Sequence, residues 1–119
     1  MARIDDTPPA KAAPPKLERR MQQSIRDSAK GEACLVRLPM VCANDSAYTI
    51  WSHAPFKAAG KGMGIKALDL CGAYACTRCD AVIDRQAPLP MGMSREQVEI
   101  AWFMGHLRSL VRLRELGLV

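Results

Sequence analysis

The feature that most limits what this chain can fold into is Cys76-Thr77-Arg78-Cys79. Two thiolates separated by two residues can turn through a knuckle and grip one ion from the same side, so the pair reads as half of a tetrahedral metal site. Cys34 and Cys42 are the candidates for the other half, although the seven residues between them exceed the usual spacing of roughly two to four. Cys71 lies among apolar residues with no partner at ligand spacing and reads as a core residue. Buried or redox-active thiols are the competing reading of Cys76 and Cys79. The redox version is the weaker, because no thioredoxin-like βαβ pattern surrounds the pair.

A metal staple suits the rest of the composition. A chain of 119 residues has room for one domain, and with 5% aromatic residues its core is small. At 49% hydrophobic and 24% charged it has the balance of a folded soluble protein, and no apolar run approaches the ~18 residues of a membrane span. Two acids, Asp5 and Asp6, stand where a signal peptide would be basic, and no apolar h-region follows, so a cytoplasmic protein is expected. Thiols stay reduced there, and an odd count of five cannot pair completely as disulfides.

Residues 1–15 carry Pro8, Pro9, Pro14 and Pro15 among alanines and read as a disordered arm. Over 16–30, Leu17, Met21 and Ile25 recur once per turn, which predicts a short amphipathic helix stopped by Gly31. The opposite face bears Arg19, Arg20, Arg26 and Lys30, either a solvated face or a nucleic-acid contact. More than half of the net charge of +5 lies in these first thirty residues. Residues 31–119 then form the single domain. The stretches Cys34–Leu38 and Tyr48–His53 are β-compatible, and the polar turn 43–46 between them suggests a hairpin. Phe56–Lys66 reads as a basic loop, with Gly60, Gly62 and Gly64 between Lys57, Lys61 and Lys66. A helix is expected to begin near the Cys76–Cys79 pair. After the Ala87–Met93 connector, marked by Pro88, Pro90 and Gly92, Ser94 and Gln97 make a capping box for a long helix over 94–116, with Gly117 at its end. Ile100, Phe103, Met104, Leu107, Leu110 and Val111 fall on one side of it and form its expected apolar face. That face could also pack across a homodimer.

Of the two histidines, His53 ends a predicted strand beside the flexible basic loop, and its two readings are a general base and a hydrogen-bonded structural histidine. His106, inside the long helix, reads as structural. Asp80 and Asp84 are four apart, so on a helix both carboxylates leave one face. They would suit a hard divalent ion; alternatively Asp80 is an N-terminal helix acid and Asp84 pairs with Arg85 or Arg78 at the surface.

In order, these pieces are a cysteine pair, a strand ending in His53, a glycine-rich basic loop, Asp69, a second cysteine pair and a carboxylate-bearing helix. This order resembles the HNH, or His-Me finger, nucleases. The segments AKGEACLVRLPMVC, SHAPFKAAGKGMGIKALD and ACTRCDAVIDR are similar more closely to the YbcO-like family of prophage nucleases. The resemblance implies an α+β fold built on a small treble-clef zinc finger, a ββα-metal-like β-hairpin plus helix, with flanking N-terminal and long C-terminal helices. It implies Cys34, Cys42, Cys76 and Cys79 as ligands of a structural Zn²⁺, and His53 as the general base. The middle position of the HNH triad falls near Asp69 and the third near Asp84. Ser52 stands where HNH enzymes commonly carry an acid or histidine, and Asp80 where they carry a histidine.

The activity implied is metal-dependent phosphodiester hydrolysis. His53 would deprotonate a water beside one Mg²⁺ or Mn²⁺ held by Asp84, with Asp80 or Asp69 assisting. Lys57, Lys61, Lys66, Arg78 and Arg85 would contact nucleic acid, expected to be DNA. The alternative is a non-catalytic zinc module that binds nucleic acid or protein, since one fold serves both purposes.

Overall fold

Two five-residue strands, β1 (Thr49–His53) and β2 (Gly72–Cys76), pair antiparallel with Thr49 opposite Cys76 and His53 opposite Gly72. They are flanked by α1 (Lys16–Asp27), α2 (Thr77–Ile83) and α3 (Arg95–Glu115) in a computed structural model that describes residues 16–59 and 69–119, with side chains from residue 19 onward. The expected arm over residues 1–15 and most of the glycine-rich loop, including Lys61 and Lys66, lie outside the described residues.

β-branched and aromatic residues give β1 its strand character, and every residue of β2 is buried. Alternation along β2 divides the core in two. Ala73 and Ala75 belong to a cluster with Val82, Ile83, Val98 and Trp102, whereas Tyr74 joins Trp51, Ile25, Ala29 and Leu113. Trp51 and Tyr74 meet edge to face, with ring centroids 5.2 Å apart. The outer edge of β2 is not left bare: the Tyr74 amide donates to Ser109 Oγ at 2.9 Å, and the Tyr74 carbonyl accepts from the Leu35 amide at 2.8 Å.

That single bond from Leu35 is as far as the expected strand at 34–38 goes, and the predicted hairpin between 34–38 and 48–53 does not form. Arg37 and Met40 sit at φ 52° and 62°, so the chain turns where a strand would have to run on. The Arg37 amide goes to Cys34 Sγ, and Cys42 donates back to Leu38. The partner of β1 is instead β2, on the far side of the long loop.

The capping box of α3 is present, with Gln97 N bonded to Ser94 Oγ at 3.1 Å and Ser94 N to Gln97 Oε1 at 2.8 Å. Its C-terminus closes through Gly117 at φ 74°, with Leu118 N bonded to Leu113 O. Its expected apolar face, however, points outward. Ile100, Phe103, Met104, Leu107 and Val111 are exposed and Leu110 is half-buried, while Val98, Trp102, Gly105, Ser109 and Leu113 face the core. Close approach decides this in favour of small residues. A Cβ on Gly105 would lie 2.7 Å from Val36 Cγ2 and 2.9 Å from its Cα, so the cysteine-bearing turn rests on α3 only because position 105 has no side chain.

Gly72 plays the same part against the Trp51 indole. A Cβ there would fall 2.3 Å from the indole Nε1. Gly72→Ala should therefore destabilise the fold by about 1–3 kcal/mol, the usual cost of overpacking, and lower the melting midpoint by several degrees in a thermal scan. An unchanged melt would show that the indole does not occupy this place.

A four-cysteine centre and a histidine–aspartate site

The turn at 34–42 and the β2–α2 junction bring four thiols together. The Sγ atoms of Cys34, Cys42, Cys76 and Cys79 all lie within 4.8 Å of one another, with Cys34–Cys79 at 3.9 Å and Cys42–Cys76 at 4.0 Å. A Zn–S bond of about 2.3 Å makes the edge of a tetrahedron about 3.8 Å. A disulfide would need sulfurs at about 2.0 Å, and all five cysteines are free thiols. The spacing thus fits four ligands around one metal ion. Backbone amides already serve the sulfurs: Arg37 N to Cys34, and Ala43 N and Cys79 N to Cys76, each at 3.4 Å. The Cys79 thiol, more than the amides, holds Cys34 down at about 4 against the effect of burial, while the same contact pushes Cys79 up. Burial raises Cys42. Cys71 stands outside the cluster and packs against the core.

At the other end of the sheet, His53 Nε2 meets Asp69 Oδ1 at 2.8 Å. The second oxygen of Asp69 accepts from Arg26 Nη1 at 2.7 Å, and its backbone carbonyl accepts from Trp51 Nε1 at 2.5 Å. Arg26 is itself steadied by Gln23 Oε1 at 2.6 Å. The carboxylate is thus fixed by α1 and β1 together, with its side chain only 11% exposed. A carboxylate accepts, so Nε2 carries a proton, and in the neutral ring the lone pair then lies on Nδ1. Among the described residues Nδ1 has no hydrogen-bond partner.

The structure brings His53 into contact with Asp69, which the resemblance implies only as the middle position of a triad and an assisting carboxylate. Asp80 lies in the first turn of α2 and Asp84 caps its C-terminus, both with partners of their own. The four cysteines are, among the described residues, the only group of three or more His, Cys, Asp or Glu side chains close enough to hold an ion. The carboxylates therefore do not form a ready-made cage with His53. Lys57, Arg78 and Arg85 are exposed, Lys57 in a single 3₁₀ turn and Arg85 just beyond α2 at φ 62°. His106 stacks on Trp102 at 5.4 Å and its Nδ1 bonds to the Gly72 carbonyl at 2.6 Å.

Arg26 was legible only as one charge on a basic face. Its place next to buried Ile25, at the margin of the apolar stripe of α1, is the one sequence feature that could have marked it as inward-reaching. The part of Trp51 and Gly72 in seating Asp69 depends on strand register and leaves no trace in composition.

Fold and site together define a small α+β protein with, among the described residues, a two-stranded sheet, three α-helices and a four-cysteine centre able to hold a metal. The chain belongs to the family described as "Putative nuclease YbcO", which matches residues 23–118. It is similar to proteins of that description from Escherichia coli (strain K12) and from Enterobacteria phage 82, each 34% identical over 62 residues. Those alignments cover 52% of this chain and 64% of each relative, a little under two thirds of their length. A solved structure described as "a putative bacteriophage protein from Escherichia coli str. K-12 substr. MG1655" shares the fold, with a TM-score of 0.62 and 23% identity over 79% of this chain and all of the other.

Proposed function

We propose that the chain is a metal-dependent endonuclease of the HNH type, built on a treble clef whose structural Zn²⁺ is held by Cys34, Cys42, Cys76 and Cys79. The observation that carries this reading is the His53–Asp69 contact of 2.8 Å, with Asp69 anchored in turn by Arg26 and Trp51. A histidine locked through Nε2 presents Nδ1 as a base of fixed direction, which is what in-line attack on a phosphodiester requires.

In the reaction, Nδ1 of His53 takes a proton from water, the water oxygen bonds to phosphorus, and the bond to the leaving sugar oxygen breaks. Asp69 keeps the ring oriented and balances the charge of the imidazolium. Both of its oxygens already accept hydrogen bonds, so its part in this reading is to orient the ring. A catalytic Mg²⁺ or Mn²⁺, once bound, would stabilise charge on the phosphate and the leaving oxygen. Asp84, with Asp80 assisting, is the donor set for it. Mg²⁺ usually keeps several waters and takes only one or two carboxylates plus phosphate oxygens, so the lack of a preformed cage suits it. Lys57, Arg78 and Arg85, with Lys61 and Lys66 of the loop, supply positive charge for the DNA backbone. Residues 31–119 form the nuclease unit, to which α1 contributes Arg26, and it acts in the cytoplasm. Among the described residues no helix is long and apolar enough to cross a membrane.

Supercoiled plasmid, single-stranded DNA and RNA incubated with purified protein in Mg²⁺, Mn²⁺ or EDTA test the reading. Nicked or linear plasmid is expected with a divalent ion and none with EDTA. Binding without cleavage under every metal would replace the nuclease with a non-catalytic zinc module.

A further inference from the structure

The outward face of α3 is the largest unexplained feature of the molecule. Ile100, Phe103, Met104, Leu107 and Val111, 64%, 49%, 44%, 42% and 60% exposed, make an apolar stripe along a 21-residue helix whose opposite face already packs on the core. Isolated exposed apolar residues are ordinary, but a contiguous stripe marks an interaction surface.

We propose that this stripe is the contact between two copies of the chain, packed antiparallel about a twofold axis level with Gly105 and His106. Three pairings fall within half a residue of one centre. Ile100 opposite Val111 and Met104 opposite Leu107 share one midpoint between residues 105 and 106, and Glu96 opposite Arg114 is centred on residue 105. Glu96 and Arg114 are eighteen residues apart, five turns at about 3.6 residues each, so both project from the same flank of the stripe. A twofold axis across antiparallel helices brings that flank against itself, and each Glu96 then faces the Arg114 of the other copy. Both side chains are exposed, and neither has an ion-pair partner among the described residues.

A parallel pairing would set opposite flanks together and leave Glu96 and Arg114 eighteen residues, about 27 Å, apart along the axis, so only the antiparallel arrangement joins these charges, and the helix dipoles favour it too. An open groove of about 420 Å³ lined by Phe56, Glu96, Glu99, Ile100 and Phe103 lies at the end of the stripe where the other copy's Val111 arrives. The proposal is independent of the nuclease reading.

Light scattering over a dilution series of the full chain, with sedimentation, reads the result directly. Wild type should show a dimer mass that falls to monomer on dilution. Leu107→Glu, at an exposed position, should be monomeric with an unchanged melt. Glu96→Arg and Arg114→Glu should each weaken association on the order of tenfold, because each opposes like charges, and the double variant should restore it. A wild-type monomer at every concentration, or a dimer unaffected by Leu107→Glu, would overturn the proposal. Failure of the double variant to recover would overturn the antiparallel register. A monomer whose Leu107→Glu variant loses DNA binding in a mobility shift would assign the stripe to nucleic acid instead.

Discussion

Stripping metal with a strong chelator should abolish the cooperative thermal transition of this protein, and Cys76→Ala or Cys79→Ala should do the same. Both residues are fully buried, and the cluster is what joins the 34–42 turn to the β2–α2 junction. At four-thiolate sites the free energy of binding is free energy of folding, about 10–16 kcal/mol for zinc-finger peptides, against a total stability of about 5–15 kcal/mol for an ordinary domain. Loss of the ion is therefore large enough to decide whether the domain folds. Cys71→Ala, outside the cluster, should keep one bound metal per chain by elemental analysis. Metal-free purified protein with a melt indifferent to chelator would leave four buried thiols and no finger. Equal metal loss in Cys71→Ala and Cys76→Ala would show that the ligands are misassigned.

His53→Ala should lose on the order of a hundredfold or more in metal-dependent nicking, the amount a general base typically supplies, while retaining its bound metal and its melt. Asp69→Asn is the informative companion. Its amide oxygen can still accept from Nε2, but the ion pair to Arg26 is gone, so a smaller loss is expected, on the order of tenfold. If Asp84 is a ligand of the proposed catalytic ion, Asp84→Ala should also lose activity, with a changed preference between Mg²⁺ and Mn²⁺, because the proton acceptor is left in place. His106→Ala should cleave at the wild-type rate. Nicking by His53→Ala at the wild-type rate would remove the histidine from the mechanism.

Local chemistry was readable in the chain, and most long-range geometry was not, the exception being the grouping of Cys34 and Cys42 with Cys76 and Cys79. The Cys76–Cys79 spacing, the capping box at Ser94 and Gln97 and the stop at Gly117 are each complete within a few residues, and each is present as read. The strand partner was misread because Cys34–Leu38 has β-compatible side chains, yet its amides are claimed by sulfur and by Tyr74. The face of α3 was misread because hydrophobicity ranks residues by size. This interface selects Gly105 and Ser109 for their smallness, since Val36 and the Tyr74 amide must come close. The Arg26–Asp69 link joins positions forty-three residues apart, and nothing local to either announces it.

The pairing of β1 with β2 acts as a ruler. Cys76 marks one end, opposite Thr49, and Gly72 the other, opposite His53, so cluster and imidazole are held four residues, roughly 14 Å, apart along one ladder. Strand side chains alternate, so slippage by a single position would carry His53 to the opposite face and away from Asp69. With an ion bound, the thiol cluster would do more than add stability: by clamping one end of the ladder it would set the phase of the other. An extra residue inserted within β2 should give a protein that still takes up its metal and has nevertheless lost its histidine–aspartate pair.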